Sequence, residues 1–286
     1  LVTLKLVAYF GNGDETKGFL ATATLYAVLM VCSLWVCFLS TTEVSESEGA
    51  FETERYDILS VGKILMKNVP FLLVFFGVIT FTGCYTIMLK SIVYFFKYNL
   101  GDAESARWGL SAASVSGIFA VPIWATVTKR TSKRLVWIAG CILASSGLLV
   151  LNLHDGITVI WAVVNIFVVG CGIAAFLMTF YAMAADTIDY GEWKYGVRIE
   201  ALSISILSFA NKSSLAIGGG SLGFMMASVG YKANVEQSVE ALEGIKSILT
   251  LVPLTGFLLS AVVIHFYPID AKYHQKIRDG ILARTK

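Results

Sequence analysis

Seven stretches of this sequence are each long and apolar enough to cross a lipid bilayer, and they constrain the fold more than any other feature. A helix rises 1.5 Å per residue, so about 20 apolar residues span a hydrocarbon core of roughly 30 Å. Backbone polar groups have no partners in lipid, and the alternating strands of a membrane barrel are missing, so the spans are predicted to be helices. The stretches cover residues 18–40, 70–96, 108–128, 135–153, 157–183, 200–228 and 245–267.

The composition agrees with a chain that lies mostly in lipid. Only 15% of the 286 residues are charged, compared with about 25% in soluble domains. We therefore predict an all-α membrane protein whose main partner is the bilayer. The net charge of +2 is too small to indicate binding of nucleic acid. Motifs of phosphate-binding, dinucleotide-binding and zinc-dependent enzymes are missing, so we expect no enzyme activity, no cofactor and no metal site.

The distribution of lysine and arginine predicts the topology. If the seven spans alternate, one side carries 14 of these residues in its connections and its tail, and the other side carries 6. The richer side is cytoplasmic under the positive-inside rule. The C-terminus is then cytoplasmic, in a protein of the bacterial inner membrane.

The connections divide the chain into four parts. Residues 1–40 hold the first span, residues 41–69 form an acidic cytoplasmic loop, residues 70–267 hold six spans and residues 268–286 form a cytoplasmic tail. Apolar residues recur at helical spacing in Tyr56–Val69 and, with Tyr273, Ile277 and Ile281, in the tail. We expect both segments to be amphipathic helices on the membrane surface. The sequence begins at Leu1 within an apolar segment, so we expect a C-terminal fragment of a longer protein.

Two lysines, Lys90 and Lys212, lie well inside predicted spans, where a charge costs about 2.5–3.5 kcal/mol. Lys212 is about 18 Å along its span, near the middle of the membrane, and we interpret it as a cation that faces a cavity, with a snorkelling side chain as the alternative. Lys90 lies closer to the end of its span, so a snorkelling side chain remains an alternative there. None of the seven spans contains an acidic residue, although Glu200 begins one. A counter-ion for Lys212 must therefore come from elsewhere.

Alternating charges follow the span that ends at residue 183. Three carboxylates and two cations occur between residues 186 and 198, and they suggest an ionic lock at the cytoplasmic gate of a carrier, with a solvated loop as the alternative. The five residues are Asp186, Asp189, Glu192, Lys194 and Arg198. The basic run at residues 129–134 is expected to contact lipid phosphates. The five cysteines are expected to be buried, reduced packing residues.

The segment Asp186-Thr-Ile-Asp-Tyr-Gly-Glu-Trp-Lys194, with Arg198, Glu200 and the run Ser208-Phe-Ala-Asn-Lys212, resembles the glycoside–pentoside–hexuronide:cation symporter family. That is the melibiose permease group of the major facilitator superfamily. The resemblance implies two six-helix bundles, of which this chain would hold the sixth helix, the middle loop and the six-helix C-terminal bundle. It further implies alternating-access transport of a sugar or glycoside with Na⁺, Li⁺ or H⁺.

The family resemblance also implies where the site lies. It assigns the carboxylates that bind the cation to the N-terminal bundle, which this chain would lack, and a coupling role to Lys212. Substrate-binding or coupling residues are then expected among Lys212, Asn211, Ser208, Phe180, Phe176 and Lys90. Melibiose permease has a tryptophan near the sugar where this chain has Leu177, so melibiose itself is not the expected substrate. Two alternative functions are a carrier for a non-sugar solute, such as a lipid or organic anion, and a transport-inactive membrane sensor.

Overall fold

The structure is a computed structural model that describes residues 2–41 and 58–284. The chain divides into two compact units, Leu1–Tyr56 and Asp57–Lys286. The predicted acidic loop falls largely on residues 42–57 and so lies outside the described residues. Every regular element of the described ranges is a helix.

The first unit is a helical hairpin of α1 (Val2–Gly11) and α2 (Glu15–Ser40). Asn12 and Gly13 turn the chain with φ angles of 44° and 96°, a region that favours glycine and asparagine. Asp14 then caps α2 by accepting a hydrogen bond from the backbone of Lys17. A Cβ at Gly18 would overlap the carbonyl oxygen of Val7, so the missing side chain lets the two helices meet.

The described part of the second unit contains eight α-helices. The first is α3 (Ile58–Lys67), and α4 (Val69–Tyr94) continues into a π-helical turn at Phe95–Asn99. They are followed by α5 (Ala106–Arg130), α6 (Lys133–Leu153), α7 (Val159–Tyr195), α8 (Glu200–Ser228), α9 (Val239–His265) and the tail helix α10 (Ala271–Leu282).

Six helices of the described ranges are long and apolar enough to cross a membrane, namely α2, α4, α5, α6, α7 and α9. Helix α8 has 29 residues, about 43 Å at 1.5 Å per residue, but it is less apolar because Lys212 and many small polar residues interrupt it.

Helices α4–α9 pack as two related groups of three. The main contacts join α4 to α8 and α9, α7 to α5 and α6, and α6 to α9. If α4 is exchanged with α7, α5 with α8 and α6 with α9, the same set of contacts results. This is the pattern of an internal repeat. Close helix approaches occur at glycines: a Cβ at Gly218 would overlap the carbonyl oxygen of Gly83, and a Cβ at Gly172 would crowd Gly140.

A buried aromatic cluster holds the centre of this bundle. The ring of Phe176 stacks on Phe81 with centroids 3.9 Å apart and meets the edge of Trp137 at 4.9 Å. The indole nitrogen of Trp137 donates to Ser260, whose hydroxyl donates to the carbonyl oxygen of Gly77. Helices α4, α6, α7 and α9 are therefore joined at one level by packing and by satisfied polar groups.

The tail helix differs from the expectation of a helix on the membrane surface. Ile277 is fully buried, Tyr273 meets the edge of the Trp193 ring at a centroid distance of 6.1 Å, and a Cβ at Gly280 would contact the same indole. The apolar face of α10 therefore packs against the C-terminal end of α7. Protein surface, and not the membrane surface, covers this face.

The cysteine prediction also needs correction. Cys141 is buried, but Cys32 and Cys37 are exposed on α2, and Cys84 and Cys171 are partly exposed; all five are free thiols. An apolar membrane helix exposes apolar side chains to lipid as readily as it buries them, so an apolar sequence context did not imply burial.

Candidate functional site

The charged segment at residues 186–194 lies on a helix and not in a loop, contrary to the sequence prediction. Helix α7 runs for 37 residues from Val159 to Tyr195, about 55 Å, and so extends well beyond the thickness of a hydrocarbon core. Gly196, with a φ of 75°, ends it in a left-handed cap. Asp186, Asp189 and Glu192 follow at three-residue spacing, so they occupy one side of the last turns.

Asp186 forms a largely buried ion pair with Lys133. The Nζ atom of Lys133, the first residue of α6, lies 2.8 Å from both carboxylate oxygens of Asp186. The Asp186 side chain is 5% exposed and that of Lys133 is 32% exposed. The ammonium offsets the cost of burying the carboxylate and ties α6 to α7. Lys133 was expected to contact lipid phosphates, whereas its charge is directed into the protein.

Arg198, which lies just after α7, forms ion pairs with three carboxylates. Its guanidinium lies 3.3 Å from Asp189, 2.6 Å from Glu192 and 2.9 Å from Glu200, the first residue of α8. Burial opposes the charge of this group, but the hydrogen bonds with Glu192 and Glu200 outweigh it and raise the pKa of Arg198. The planar guanidinium can hold several carboxylates at once, so Arg198 fixes the turn between α7 and α8.

His274 of the tail helix connects these two ion pairs. Its Nε2 atom lies 3.0 Å from Oδ2 of Asp189 and 3.4 Å from Oδ1 of Asp186. We call the set Lys133, Asp186, Asp189, Glu192, Arg198, Glu200 and His274 the inner network. Lys194 was expected to belong to it, but its ammonium instead donates to the hydroxyl of Tyr190 at 2.9 Å.

Lys212 lies on the side of α8 that faces away from the rest of the bundle. Ser208 and Lys212 are exposed and Asn211 is half-buried, whereas Ala210 and Ser214, on the opposite side, are buried. No hydrogen bond or ion pair joins the Lys212 ammonium to another described residue. The chain therefore presents this charge on an open surface near the middle of α8.

Lys90 lies beside the same surface. It lines a pocket of about 620 Å³ between α4 and α8, with Tyr94, Gly219, Met226 and Tyr231 among the other lining residues. A Cβ at Gly219 would come within 2.6 Å of the Lys90 ammonium. Gly219 follows Lys212 by seven residues, or two turns of helix, so the two cations occupy one side of α8.

The two phenylalanines of α7 have different surroundings. Phe176 is buried in the central aromatic cluster, so it lies inside the bundle, away from the open surface of α8 where sequence reasoning grouped it. Phe180 contributes to a small pocket of about 110 Å³ between α7 and α8, together with Tyr181, Ser208, Asp189 and Arg198. Phe180 and Ser208 thus adjoin the inner network.

Sequence reasoning missed three residues that the structure places at these sites: Lys133, His274 and Tyr181. Tyr181 is 66% exposed and lies one turn after Leu177, the position already noted from the family resemblance. Its spacing from Leu177 could have indicated it. Lys133 and His274 carry no local signal, because their partners are 53 and 85 residues away in sequence. Within the described ranges, no group of three His, Cys, Asp or Glu side chains is placed to hold a metal ion.

Comparison with known proteins agrees with a bundle of membrane helices. The family model described as MFS/sugar transport protein matches residues 1–271. The isoprimeverose transporter of Lactiplantibacillus pentosus is 35% identical over 277 residues, covering 94% of this chain and 56% of that protein. A glucuronide carrier protein homolog of Escherichia coli (strain K12) is 28% identical over 254 residues, covering 88% of this chain and 54% of that protein.

A third relative is named an uncharacterized symporter of Bacillus subtilis (strain 168). It is 29% identical over 284 residues, covering 97% of this chain and 60% of that protein. The chain therefore spans between 54% and 60% of the length of these three relatives. They are named as membrane carriers and not as enzymes. With its apolar helices and a family match over 271 residues, the chain is an integral membrane protein that belongs to the MFS/sugar transport family.

Proposed function

We propose that this chain is the C-terminal part of a carrier that moves a sugar or glycoside together with Na⁺, Li⁺ or H⁺ by alternating access. In this proposal α2 is the sixth membrane helix of the carrier, and α4–α9 form the complete C-terminal bundle, with α8 as its eleventh helix. The proposal is supported by the family match and by relatives named as an isoprimeverose transporter, a glucuronide carrier homolog and a symporter.

The single observation that carries the proposal is the position of Lys212. It is a cation near the middle of a long helix, on the side that its own bundle leaves open, and no described residue offers it a counter-ion. Such a residue is retained in a membrane when a cavity, a ligand or a partner carboxylate offsets its desolvation. An N-terminal bundle facing α8 would supply both the cavity and the carboxylate.

Coupling then follows from competition for one carboxylate. In the proposed N-terminal bundle, a carboxylate that binds Na⁺ or H⁺ pairs less strongly with Lys212. The freed ammonium becomes available to the hydroxyl groups of the sugar. Binding of cation and sugar would each favour the other, with a coupling free energy of about 1–3 kcal/mol.

The inner network fits the role of a cytoplasmic gate. It joins α6, α7, α8 and the tail through ion pairs at one end of the bundle. Such contacts can hold one conformation of a carrier and separate in the other, because each requires a fixed arrangement of helix ends. In the proposed topology this end and the C-terminus lie in the cytoplasm of a bacterial cell.

Uptake by the complete protein in proteoliposomes tests the proposal. Labelled disaccharides and glycosides are offered with an inward Na⁺ or H⁺ gradient, and an ionophore that collapses the gradient serves as control. We expect accumulation above the external concentration that the ionophore abolishes. Equal uptake with and without a gradient would contradict cation coupling, and uptake of no sugar would contradict the proposed substrate.

A further inference from the structure

The pocket between α4 and α8 holds a second cation, the ammonium of Lys90. The Lys90 side chain does not run in the direction expected of a snorkelling lysine. Helices α4 and α8 cross closely at Gly83 and Gly218. The Cα atom of Lys90 is seven residues beyond Gly83, about 10 Å further along α4. Its ammonium nevertheless lies at Gly219, beside the crossing.

The Lys90 side chain therefore points back toward the middle of the bundle. Helical side chains lean toward the N-terminal end of their helix, and a lysine that snorkelled to the near end of α4 would have to lean the other way. The glycine at position 219 makes this orientation of the Lys90 side chain possible, because any Cβ there would collide with the ammonium. The charge is thus placed in the pocket and away from the helix end.

The rest of the pocket suits a sugar ring but leaves the charge unmatched. Tyr94 and Tyr231 line it and contact each other edge to face at a centroid distance of 5.4 Å. The Tyr231 hydroxyl lies 3.1 Å from that of Tyr98, which fixes this wall. The nine lining residues include no acidic side chain, and no described residue forms an ion pair with Lys90.

We propose that the Lys90 pocket binds the anionic group of a negatively charged sugar, such as the carboxylate of a sugar acid, and so determines the substrate class. This inference rests on the proposed function of sugar transport. The ammonium offers three donors to an anionic oxygen, and hydrogen bonds between two charged groups are about twice as strong as neutral ones. Gly219 leaves room for the ammonium in the pocket, and Tyr94 and Tyr231 line the space in which the ring would lie.

A matched pair of probes tests the substrate class. Methyl β-glucuronide and methyl β-glucoside differ at one carbon, which is a carboxylate in the first and a hydroxymethyl group in the second. Binding of both to the purified complete carrier is measured by calorimetry and uptake of both in proteoliposomes. We expect the wild type to prefer the glucuronide by about tenfold or more, the scale of a hydrogen bond to a charged group.

Variants assign that preference to Lys90. Lys90→Gln should lose most of the preference and keep its affinity for the glucoside, which also shows that it folds, and Lys90→Arg should retain part of it. Gly219→Ala should reduce the preference by displacing the ammonium. Lys97→Gln is the matched control, since Lys97 lies seven residues further along the chain, in the π-helical turn after α4, and donates to Asn234 outside the pocket.

The outcomes separate this inference from the proposed function. A wild type that takes up the glucoside as well as the glucuronide, or a Lys90→Gln variant with unchanged preference, overturns the anion site while cation-coupled uptake still supports the carrier. Binding and uptake of neither probe overturns the anion site, and the wider panel of neutral glycosides then decides the proposed function.

Discussion

The Nζ atom of Lys133 lies 2.8 Å from both carboxylate oxygens of Asp186, and this pair joins the start of α6 to the last third of α7. Lys133→Ala should lower the free energy of unfolding by about 1–3 kcal/mol. That is less than the roughly 3–5 kcal/mol of a fully buried pair, because Lys133 is partly exposed. A fall in melting temperature of the purified protein in detergent measures the change.

A second variant removes the carboxylate charge of Asp186, which Lys133→Ala leaves without its partner. Adding Asp186→Asn to Lys133→Ala should restore part of the lost stability, since a neutral amide is easier to bury than a carboxylate. Lys129→Ala is the control, because Lys129 is exposed and its side chain forms no hydrogen bond or ion pair with another described residue. A loss of stability in the double variant equal to the sum of the two single losses would mean that the pair is not coupled.

The glycine crossing of α4 and α8 gives a second prediction. Gly218→Ala should destabilise the protein by about 1–3 kcal/mol, because the new Cβ would overlap the carbonyl oxygen of Gly83. Gly220→Ala should stabilise the helix slightly or change nothing, since nothing lies within 4 Å of its Cβ. Thermal unfolding of the two variants side by side checks this, and similar melting temperatures would show that the crossing tolerates a methyl group.

The helices of this fold could be predicted from the sequence because membrane spans depend on local length and hydrophobicity. The structure at the ends of these helices on the predicted cytoplasmic side could not be predicted in the same way. The charged segment that follows residue 183, expected to connect two spans, is largely part of helix α7, since Asp186 and Asp189 obtain partners from Lys133 and His274. Those partners are remote in sequence, and no local sequence pattern indicates them. The same limit made the tail helix a membrane-surface prediction when its Ile277 is buried by protein.

The candidate site was predictable at the level of charge but not of side-chain direction. A lysine within an apolar helix stands out in sequence, so Lys212 and Lys90 were both identified. Which aromatic of α7 turns inward is a matter of helix rotation, and Phe176 proved to be core while Tyr181 is exposed. Likewise only the structure shows that the ammonium of Lys90 lies at Gly219.

Cysteine labelling checks the proposed topology. In a cysteine-free background of the complete protein, Ser132→Cys should resist a membrane-impermeant maleimide in intact cells, because the 14-to-6 bias in basic residues places the α5–α6 turn in the cytoplasm. Lys232→Cys, in the exposed connection between α8 and α9, should be labelled. Labelling at position 132 in intact cells, with none at 232, would reverse the orientation.

Arg198 offers a kinetic test of the inner network. Arg198→Ala releases three carboxylates of α7 and α8, so a gate held by these contacts should close poorly. We expect transport to slow by about tenfold, the scale of 1.4 kcal/mol, with sugar affinity changed much less. Arg198→Lys keeps the charge but not the planar geometry and should fall between. Equal loss of binding and transport, or no loss of either, would leave this segment as a structural connection.

Lys212 provides the decisive prediction for coupling. Lys212→Ala in the complete carrier should leave its partner carboxylate unpaired and disturb sugar and cation binding together. We expect the dependence of sugar affinity on cation concentration to fall from the about 5–150-fold of a coupled carrier toward onefold. Calorimetric titration of sugar at high and low Na⁺ and at two pH values measures it.

The control and the double variant make this prediction specific. Lys232→Ala removes an exposed lysine from the α8–α9 connection and should leave the cation dependence intact. Neutralising the partner carboxylate together with Lys212 should restore part of the stability that Lys212→Ala alone removes, because neither charge is then unpaired. Normal cation-coupled uptake by Lys212→Ala would contradict the mechanism, since a lysine that only snorkels has no carboxylate to release.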